Sequence, residues 1–375
     1  MPWKEATAMS LRSEFVQLAR QEGANMSRLC RSFGIARKTG YKWLRRSAFA
    51  REPAESLTDR SRRPHYSPRR TPASVEEAVL EVRKHHPAWG GRKIRATLVR
   101  SHTVLVPAAS TITAILRRHG QLDPAESRKH RPYQRFEMEE SNELWQMDFK
   151  GYFPLPMGGY CHPLTILDDC SRFLIGLQAC PDQRQHTVKE RLTAIFRQYG
   201  LPKRMLMDNG APWGDDARDQ HTVLTAWLIR LGISVSHGRP YHPQTQGKDE
   251  RLHRTLQAEL LSRRPLASME ECQVEFDSWR ELYNTKRPHE ALDLQPPVSR
   301  YVPSPRPFPE CLPPILYESG EIRKVDCKGR ISYRNRPVRV GKAFRLQSVA
   351  VRQSEADGLF DIYFCHEKVA QADLR

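Results

Sequence analysis

The amino-acid sequence predicts a multidomain protein with an all-α N-terminal part, a central α/β domain and a small all-β C-terminal domain. Three observations support this prediction. Apolar residues recur at helical spacing up to about residue 120, and from Leu144 onward they alternate as in strands, with further helices between them. Residues 296–314 then contain eight prolines and separate this region from a last segment of alternating apolar and polar positions.

The first 50 residues read as helix, turn and helix. Phe15 and Leu18 mark a first helix, a second short helix ends before Gly34, and a third begins near Ala36. A glycine turn between two helices is typical of a helix-turn-helix domain, in which the second helix of the pair enters the DNA major groove. We therefore predict a helix-turn-helix DNA-binding domain over residues 1–50. The residues expected to face DNA are Arg37, Lys38, Thr39, Lys42, Arg45 and Arg46.

Residues 51–73 form a basic linker rich in proline and arginine. It is either a solvated spacer or an arm that lies along DNA with Arg62 and Arg63, as the arms of minor-groove binders do. Residues 74–122 contain three further helical segments and predict a second helix-turn-helix domain. The DNA contacts expected in this second domain are Arg92 and Lys93.

The charge distribution favours a nucleic-acid partner. The net charge is +18, and residues 1–140 hold 28 Lys and Arg against 14 Asp and Glu, while the remaining residues hold 33 against 29. Such a concentration of positive charge indicates a polyanion, and no amphipathic anchor points to a membrane. No stretch approaches the roughly 20 apolar residues that cross a bilayer. We therefore expect a cytoplasmic, nucleoid-associated protein with no membrane partner.

The central domain begins with three strand-like segments. The segments LWQMDFKGYF, PLTILDD and FLIGLQA come first, and helices and short strands alternate after them. This is the element order of a ribonuclease-H-like (RNase H-like) fold, which we predict over residues 141–302. The alternating pattern of residues 315–375 predicts a small β-barrel, near the lower size limit for independent folding.

Three acidic residues stand at the ends of predicted core elements. Asp148 follows the apolar half of the first strand, Asp208 ends the fourth, and Glu250 begins a helix. Singly, each has a structural explanation as a turn or helix-start carboxylate. Together they would repel one another, and two bound Mg²⁺ ions would remove that repulsion. Oxygen ligands of this kind suit hard cations rather than zinc.

Several motifs in this order resemble one family. WQMDF, LDDCSR, MDNG and RPYHPQTQGKDERLHRTLQAEL are similar to bacterial insertion-sequence transposases with a retroviral-integrase-type (DDE, RNase H-like) catalytic core. The resemblance implies that Asp148, Asp208 and Glu250 are the catalytic residues and the ligands of two Mg²⁺ (or Mn²⁺) ions per active site. It also implies DNA contacts around the last acid. The residues concerned are Gln246, Lys248 and Arg254.

The chain departs from the family pattern in the spacing of its acids. Asp208 and Glu250 are 42 positions apart, which is longer than in many relatives. The spacing makes the choice of Glu250 less automatic, and Asp249 is its close competitor. The motif GKDER keeps the family's glutamate position, so Glu250 remains the predicted third acid.

The resemblance implies a DDE transposase that binds transposon ends, cleaves DNA to free 3′-hydroxyls and joins them to target DNA by two-metal phosphoryl transfer. The expected partners are the terminal inverted repeats, the target DNA and further copies of the chain, which assemble as a homo-oligomer on DNA. Two alternatives stay open. One is a catalytically silent, transposase-derived DNA-binding regulator, and the other is an RNase H-like nuclease that only hydrolyses.

Overall fold

The computed structural model describes residues 7–48, 57–59, 71–101, 105–122, 137–214, 221–238 and 247–375. Contacts divide the chain into two compact units, Met1–Arg70 and Thr71–Arg375. Three residues predicted to contact DNA lie outside the described residues, so their positions stay predictions. They are Arg62, Arg63 and Gln246.

Three helices form the first unit. They are α1 (Ala8–Ala19), α2 (Met26–Ser32) and α3 (Arg37–Ala48). The side chains of Thr7 and Asn25 accept hydrogen bonds from N–H groups in the first turns of α1 and α2, which fixes where these helices begin. The turn between α2 and α3 passes through Gly34 at φ +62°, a left-handed conformation that favours glycine.

The core of the first unit depends on a close approach of α3 to α1. Phe15, Cys30 and Trp43 are buried there. A Cβ atom at Gly40 would lie 2.7 Å from both Phe15 Cζ and Cys30 Sγ, so only glycine fits at this crossing. The helix, turn and helix predicted for this region are present.

The second unit begins with three more helices. These are α4 (Ala73–His85), α5 (Gly91–Arg100) and α6 (Ala109–Arg118). Their apolar faces meet around Val79, Trp89, Ile94, Ile112 and Leu116, all of which are buried. The helical spacing of apolar residues in this part of the sequence therefore arises from one core that the three helices share.

A mixed sheet follows, with the strand order β4-β3-β1-β5-β6 and β2 paired to the end of β3. β1 is antiparallel to β3, β3 is antiparallel to β4, and β1, β5 and β6 are parallel. This arrangement confirms the predicted RNase H-like order. The strands are β1 (Leu144–Phe149), β2 (Phe153–Pro154), β3 (Tyr160–Asp168), β4 (Leu174–Cys180), β5 (Arg204–Met207) and β6 (Ser234–His237).

Helices cover both faces of this sheet. They are α7 (Gln185–Tyr199), α8 (Val223–Arg230), α9 (Gly247–Leu256) and α10 (Met269–Thr285), and a π-helical segment (Gln257–Leu261) continues α9. Trp145 and Met147 of β1 pack with α7 and α8. Leu174 of β4 packs with α9 and α10 on the opposite face. Because side chains alternate along a strand, Gln146 and Asp148 face the α9 side.

The C-terminal strands form open sheets. β7 (Glu321–Lys324), β10 (Ser348–Gln353), β11 (Leu359–Phe364) and β12 (Glu367–Asp373) make one sheet of order β12-β11-β10-β7, and β8 (Arg330–Tyr333) pairs with β9 (Arg336–Arg339) in a separate hairpin. The small β-barrel predicted over 315–375, all of which is described, is therefore not confirmed.

The reason is that this segment buries its apolar face against the core. Phe344 and Phe364 belong to the same buried cluster as Leu228 of α8, and the Phe344 ring lies 5.4 Å from the His221 ring. A sheet whose apolar side is covered by a neighbouring helix does not need to close on itself.

Among the described residues, no helix combines the length and the apolar character that crossing a membrane requires.

Candidate active site

Two acidic side chains lie side by side on neighbouring parallel strands. β1 and β5 pair so that Gln146 is opposite Leu206. Two residues further along the same register, Asp148 stands beside Asp208, which directly follows β5. The sequence predicts this proximity, because each acid stands at the end of a strand and the two strands run in the same direction.

The two carboxylates raise the free energy of each other's charged forms. Burial and, to a smaller extent, the charge of Asp208 raise the pKa of Asp148 to about 6. The Phe149 N–H, which donates to Asp148 Oδ1 at 2.8 Å, acts in the opposite direction. Burial also raises the pKa of Asp208, although the Gly210 N–H donates to its Oδ1 at 3.1 Å and His237 lowers the pKa. Such a pair is poised to accept a cation.

The third predicted acid lies in the first turn of α9. Glu250 is exposed there, while its neighbour Asp249 is 1% exposed. Burial raises the pKa of Asp249 well above its usual value, and the charges of Asp148 and Asp169 add to this effect. Its Oδ1 atom accepts no hydrogen bond from any part of the chain that the structure describes.

The structure thus brings together two of the three predicted acids. Within the described ranges, no group of three His, Cys, Asp or Glu side chains is arranged to hold a metal ion. Asp249 is the α9 acid that is electrostatically coupled to Asp148. Glu250 stands one position further along the helix with its side chain in solvent.

His253 is a site residue that sequence reasoning missed. Its Nδ1 lies 4.0 Å from Asp148 Oδ2, and its Nε2 lies 2.8 Å from the hydroxyl of Thr165, the residue opposite Asp148 on β3. The Thr165 hydroxyl donates its only proton to the Asp148 carbonyl oxygen at 3.0 Å, so the Nε2–H of the ring donates to Thr165. Burial, and then Lys150, lowers the pKa of His253 to about 4. The sequence signal that could have identified His253 is its position three residues after Glu250, because residues three apart lie on the same side of a helix.

The residues predicted to contact DNA on α3 form one face of that helix. Arg37, Lys38, Lys42 and Arg45 are exposed on it. Thr39 and Arg46 are half-buried, and the Arg46 guanidinium lies 5.0 Å from the ring of the buried Trp43. The exposed residues recur at helical spacing, as a surface that follows a DNA groove requires.

The other described residues of the DNA-contact prediction differ in exposure. Arg92 on α5 and Arg254 on α9 are exposed. Lys248 is 12% exposed, and its Nζ donates to Asp169. Lys93 lies on the covered side of α5, where burial lowers its pKa to about 8. Exposure therefore favours Arg92 and Arg254 over the two lysines as contacts to a ligand.

Lys93 allows a test by pH. Because its pKa in the folded protein lies below its usual value of 10.5, the unfolded chain holds the proton more tightly between about pH 8 and 10.5. The contribution of Lys93 to stability therefore rises with pH across that window. Lys93→Met is expected to remove this rise and to increase the free energy of unfolding at pH 7, on the order of 2 kcal/mol. Thermal unfolding of both proteins between pH 7 and 10 measures it. A Met variant that is less stable and binds DNA less tightly would instead support a DNA contact.

Comparison with known families agrees with this arrangement. Two models, both described as "Integrase core domain", match residues 138–243 and 231–297. "Homeodomain-like domain" matches residues 39–116, and "IS481 family transposase, C-terminal domain" matches residues 320–375. The matches follow one another along the chain from α3 to its last strand.

Individual relatives are distant. The chain is 24% identical over 156 residues to the "Insertion element IS407 uncharacterized 31.7 kDa protein" of Burkholderia multivorans, covering 42% of this chain and 54% of that protein. It is 27% identical over 193 residues to the Gag-Pol polyprotein of baboon endogenous virus, covering 49% and 10%. The chain thus spans about half of the first relative and a tenth of the second.

Two solved structures that are similar to this chain have low TM-scores. The catalytic core domain of BIV integrase matches with 22% identity and a TM-score of 0.32, covering 42% of this chain and 92% of that one. A chain of the simian T-cell lymphotropic virus intasome in complex with PP2A regulatory subunit B56 gamma matches with 14% identity and a TM-score of 0.37, covering 78% and 98%. Together, the domain models and the insertion-element relative support an insertion-sequence transposase with an integrase-type core.

Proposed function

We propose that the protein is a DDE transposase, which cleaves DNA at transposon ends and joins the freed 3′-hydroxyls to target DNA with Asp148, Asp208 and Glu250 as its catalytic residues. The observation that carries this proposal is the pairing of Asp148 with Asp208 at the same level of two parallel strands. Paired, desolvated carboxylates are costly in a protein unless they bind a cation or a proton.

The donor set fits Mg²⁺ or Mn²⁺. Both aspartates offer hard carboxylate oxygens. Burial raises the pKa of both, with a further contribution from Asp208 at Asp148, and a divalent cation would offset this cost. We propose Glu250 as the third ligand and two ions per site. Glu250 is exposed on the helix that the His253–Thr165 hydrogen bond connects to β3 beside Asp148, while the carboxylate of Asp249 is covered and out of reach of a DNA phosphate. Bound ions would lower the pKa of an attacking oxygen and stabilise the charge on both oxygens of the displacement.

The proposed reaction consists of two exchanges at phosphorus. Water attacks the phosphodiester at a transposon end, and the P–O3′ bond to the transposon strand breaks, so that the transposon 3′-hydroxyl leaves and the phosphate stays on the 5′ end of the flanking strand. The 3′-hydroxyl of the cut transposon strand then attacks a phosphodiester of the target and displaces a second 3′-hydroxyl there. Each step forms one P–O bond and breaks one, so neither step needs a nucleotide cofactor.

DNA and further copies of the chain are the proposed partners. The exposed basic face of α3 would bind the terminal inverted repeats through phosphates, with a few side chains reading bases. Joining two ends to a target requires more than one active site. We therefore propose a homo-oligomer that assembles on DNA.

The direct experiment incubates the purified chain with duplexes of the element's own terminal sequence, a target plasmid and Mg²⁺. We expect nicked ends and joined products, both of which disappear with EDTA. Nicks without joined product would favour the hydrolysis-only nuclease. Specific end binding without nicks would favour the silent regulator.

The role of α3 is tested by the salt dependence of end binding. Lys38→Ala and Lys42→Ala are each expected to weaken binding and to reduce the slope of log K against log salt concentration by about 0.9, since each lysine removed leaves one phosphate with its counterion. Lys203→Ala is the matched control, because it removes an exposed lysine just before β5, at the other end of that strand from Asp208. Fluorescence anisotropy at several salt concentrations measures the slopes. Slopes equal to that of the wild type would exclude this face of α3 from the interface.

A further inference from the structure

The turn after β3 contains a fully buried carboxylate with partners from three parts of the fold. Asp169 is 0% exposed. Nε2 of Gln146 on β1 donates to its Oδ1 at 2.6 Å, and the N–H of Met138 donates to its Oδ2 at 2.9 Å. Nζ of Lys248 in the first turn of α9 donates to the same Oδ1. The charge of this carboxylate is therefore met by a lysine and two neutral donors, and the buried Arg172 guanidinium lies 4.0 Å from its Oδ2.

Lys248 is turned into the protein. Its side chain is 12% exposed, and its Nζ also lies 3.5 Å from the carbonyl oxygen of Asp169. Residues two positions apart in an α-helix project about 200° apart around its axis. Lys248 and Glu250 therefore point in nearly opposite directions, which agrees with the exposure of Glu250.

The Lys248 contact connects the two elements that carry the proposed catalytic acids. Gln146 stands two residues before Asp148 on β1, so both side chains lie on the α9 face of the sheet. Lys248 stands two residues before Glu250 on α9. Hydrogen bonds from Gln146 and Lys248 meet at one oxygen of Asp169, so the three side chains link the strand to the helix.

We propose that Asp169 and Lys248 are positioning residues that hold the first turn of α9, and with it Glu250, at a set distance from Asp148. The inference rests on the proposed function. A buried ion pair contributes little net folding free energy, because the desolvation of both charges offsets their attraction. What this pair supplies is orientation, and a displacement of about 1 Å at a reacting group lowers a rate by up to about 100-fold.

This role differs measurably from a contact with DNA, which the sequence predicts for Lys248. A lysine on a phosphate contributes about 0.9 to the salt slope of binding. A lysine held by Asp169 contributes nothing to that slope, but its loss lowers the rate of the chemical step.

The test compares the full chain with Lys248→Gln and Asp169→Asn on a duplex of the element's terminal sequence. Lys248→Arg keeps the charge and serves as the conservative rescue. Arg254→Gln is the matched control, since it removes an exposed cation from the same helix. Four quantities are measured: kcat for end nicking, the Mg²⁺ concentration for half-maximal rate, the salt slope of end binding without Mg²⁺, and the shift in Tm on adding Mg²⁺ alone.

We expect kcat to fall roughly 10- to 100-fold in Lys248→Gln and Asp169→Asn, with a raised Mg²⁺ requirement, a smaller Mg²⁺-induced Tm shift and an unchanged salt slope. Lys248→Arg should recover most of the rate, and Arg254→Gln should lower the slope by about 0.9. An unchanged kcat in Lys248→Gln would overturn the proposal, as would a slope that falls as in the control. If circular dichroism shows that Lys248→Gln is unfolded, Asp169→Asn decides by the same criteria.

The failure of the proposed function gives a different result. A wild-type protein that never nicks the duplex counts against the DDE transposase itself. In that case the Mg²⁺-induced Tm shift still tests the positioning role, because equal shifts in wild type and Lys248→Gln would overturn it. An active wild type with an equally active Lys248→Gln counts against the positioning role alone.

Discussion

Asp148→Asn and Asp208→Asn are each expected to lower the rate of strand cleavage by about 10³-fold or more while leaving end binding intact. The expected size follows from the several kcal/mol of transition-state stabilisation that metal ions supply, at about 1.4 kcal/mol per tenfold in rate. An asparagine keeps the shape of the side chain but removes the charge that would hold a cation. Neither residue lies on α3, so the affinity for end duplexes should not change.

The same substitution should not destabilise the metal-free protein. The pKa of Asp148 is raised to about 6 from 3.8, so the folded state binds its proton more tightly than the unfolded state does. The stability that this residue contributes is therefore present below about pH 4 and is lost as pH rises through about 6. At pH 7 Asp148→Asn is expected to be as stable as the wild type or more so, and the difference should shrink as pH falls toward 4.

Both measurements have a matched control. Asp277→Asn changes an exposed aspartate on α10 and should leave the cleavage rate and Tm unchanged. Gel assays of end nicking, end-binding anisotropy and thermal unfolding at pH 4–7 together define the outcome. A variant at Asp148 that still cleaves at a rate near the wild type would remove this residue from the site. A variant that loses activity together with stability would point to a folding defect instead.

The position of the aspartate pair could be predicted from local sequence. The segments before Asp148 and Asp208 are short, and their residues either alternate between apolar and polar or are mostly apolar. Strands of this kind end where polar residues begin. The order of strands and helices then makes β1 and β5 parallel neighbours. Two acids at equivalent ends of such strands must be close.

The surroundings of the pair could not be predicted in the same way. Nothing in the local pattern indicates that Lys248 donates to Asp169, 79 residues earlier in the chain, or that Asp249 is covered while Glu250 is not. These contacts depend on how α9 lies on the sheet. A basic residue beside a motif is equally compatible with a phosphate contact and with a buried ion pair.

The C-terminal segment illustrates a second limit. Its alternating pattern correctly indicates strands, since β10 and β11 bury every second residue or more. The same pattern arises whether a sheet closes on itself or packs one face on a neighbour. The partner here is α8, and only the tertiary structure identifies it.

A hydrogen bond from Trp89 joins the helical module of α4–α6 to a buried ion pair of the core. Glu259, in the π-helical segment after α9, is 5% exposed and accepts hydrogen bonds from Arg287 Nε at 2.9 and 3.1 Å. Trp89, which lies between α4 and α5, donates its indole N–H to the same carboxylate at 3.2 Å. A Trp indole and an Arg guanidinium thus share one buried acid at the end of the helix that begins with the candidate site.

Glu259→Gln is expected to lower Tm of the Thr71–Arg375 unit by roughly 5–10 °C. Removing one member of a buried pair leaves an uncompensated charge, here on Arg287, at a cost of about 3–5 kcal/mol. The combined change Glu259→Gln with Arg287→Met removes that charge and should recover a large part of the loss, so the two effects should be far from additive.

Glu310→Gln is the matched control, because it breaks the exposed pair with Arg197, in which both side chains are more than half exposed. Surface pairs contribute about 0–1 kcal/mol, so its Tm should stay within about 2 °C of the wild type. Calorimetry of five proteins provides the comparison: the wild type, Glu259→Gln, Arg287→Met, the combined variant and Glu310→Gln. If Glu259→Gln costs no more than Glu310→Gln, the buried pair contributes no more to stability than a surface pair. If the effects of Glu259→Gln and Arg287→Met simply add in the combined variant, the two side chains do not stabilise each other, and the ion-pair explanation is wrong.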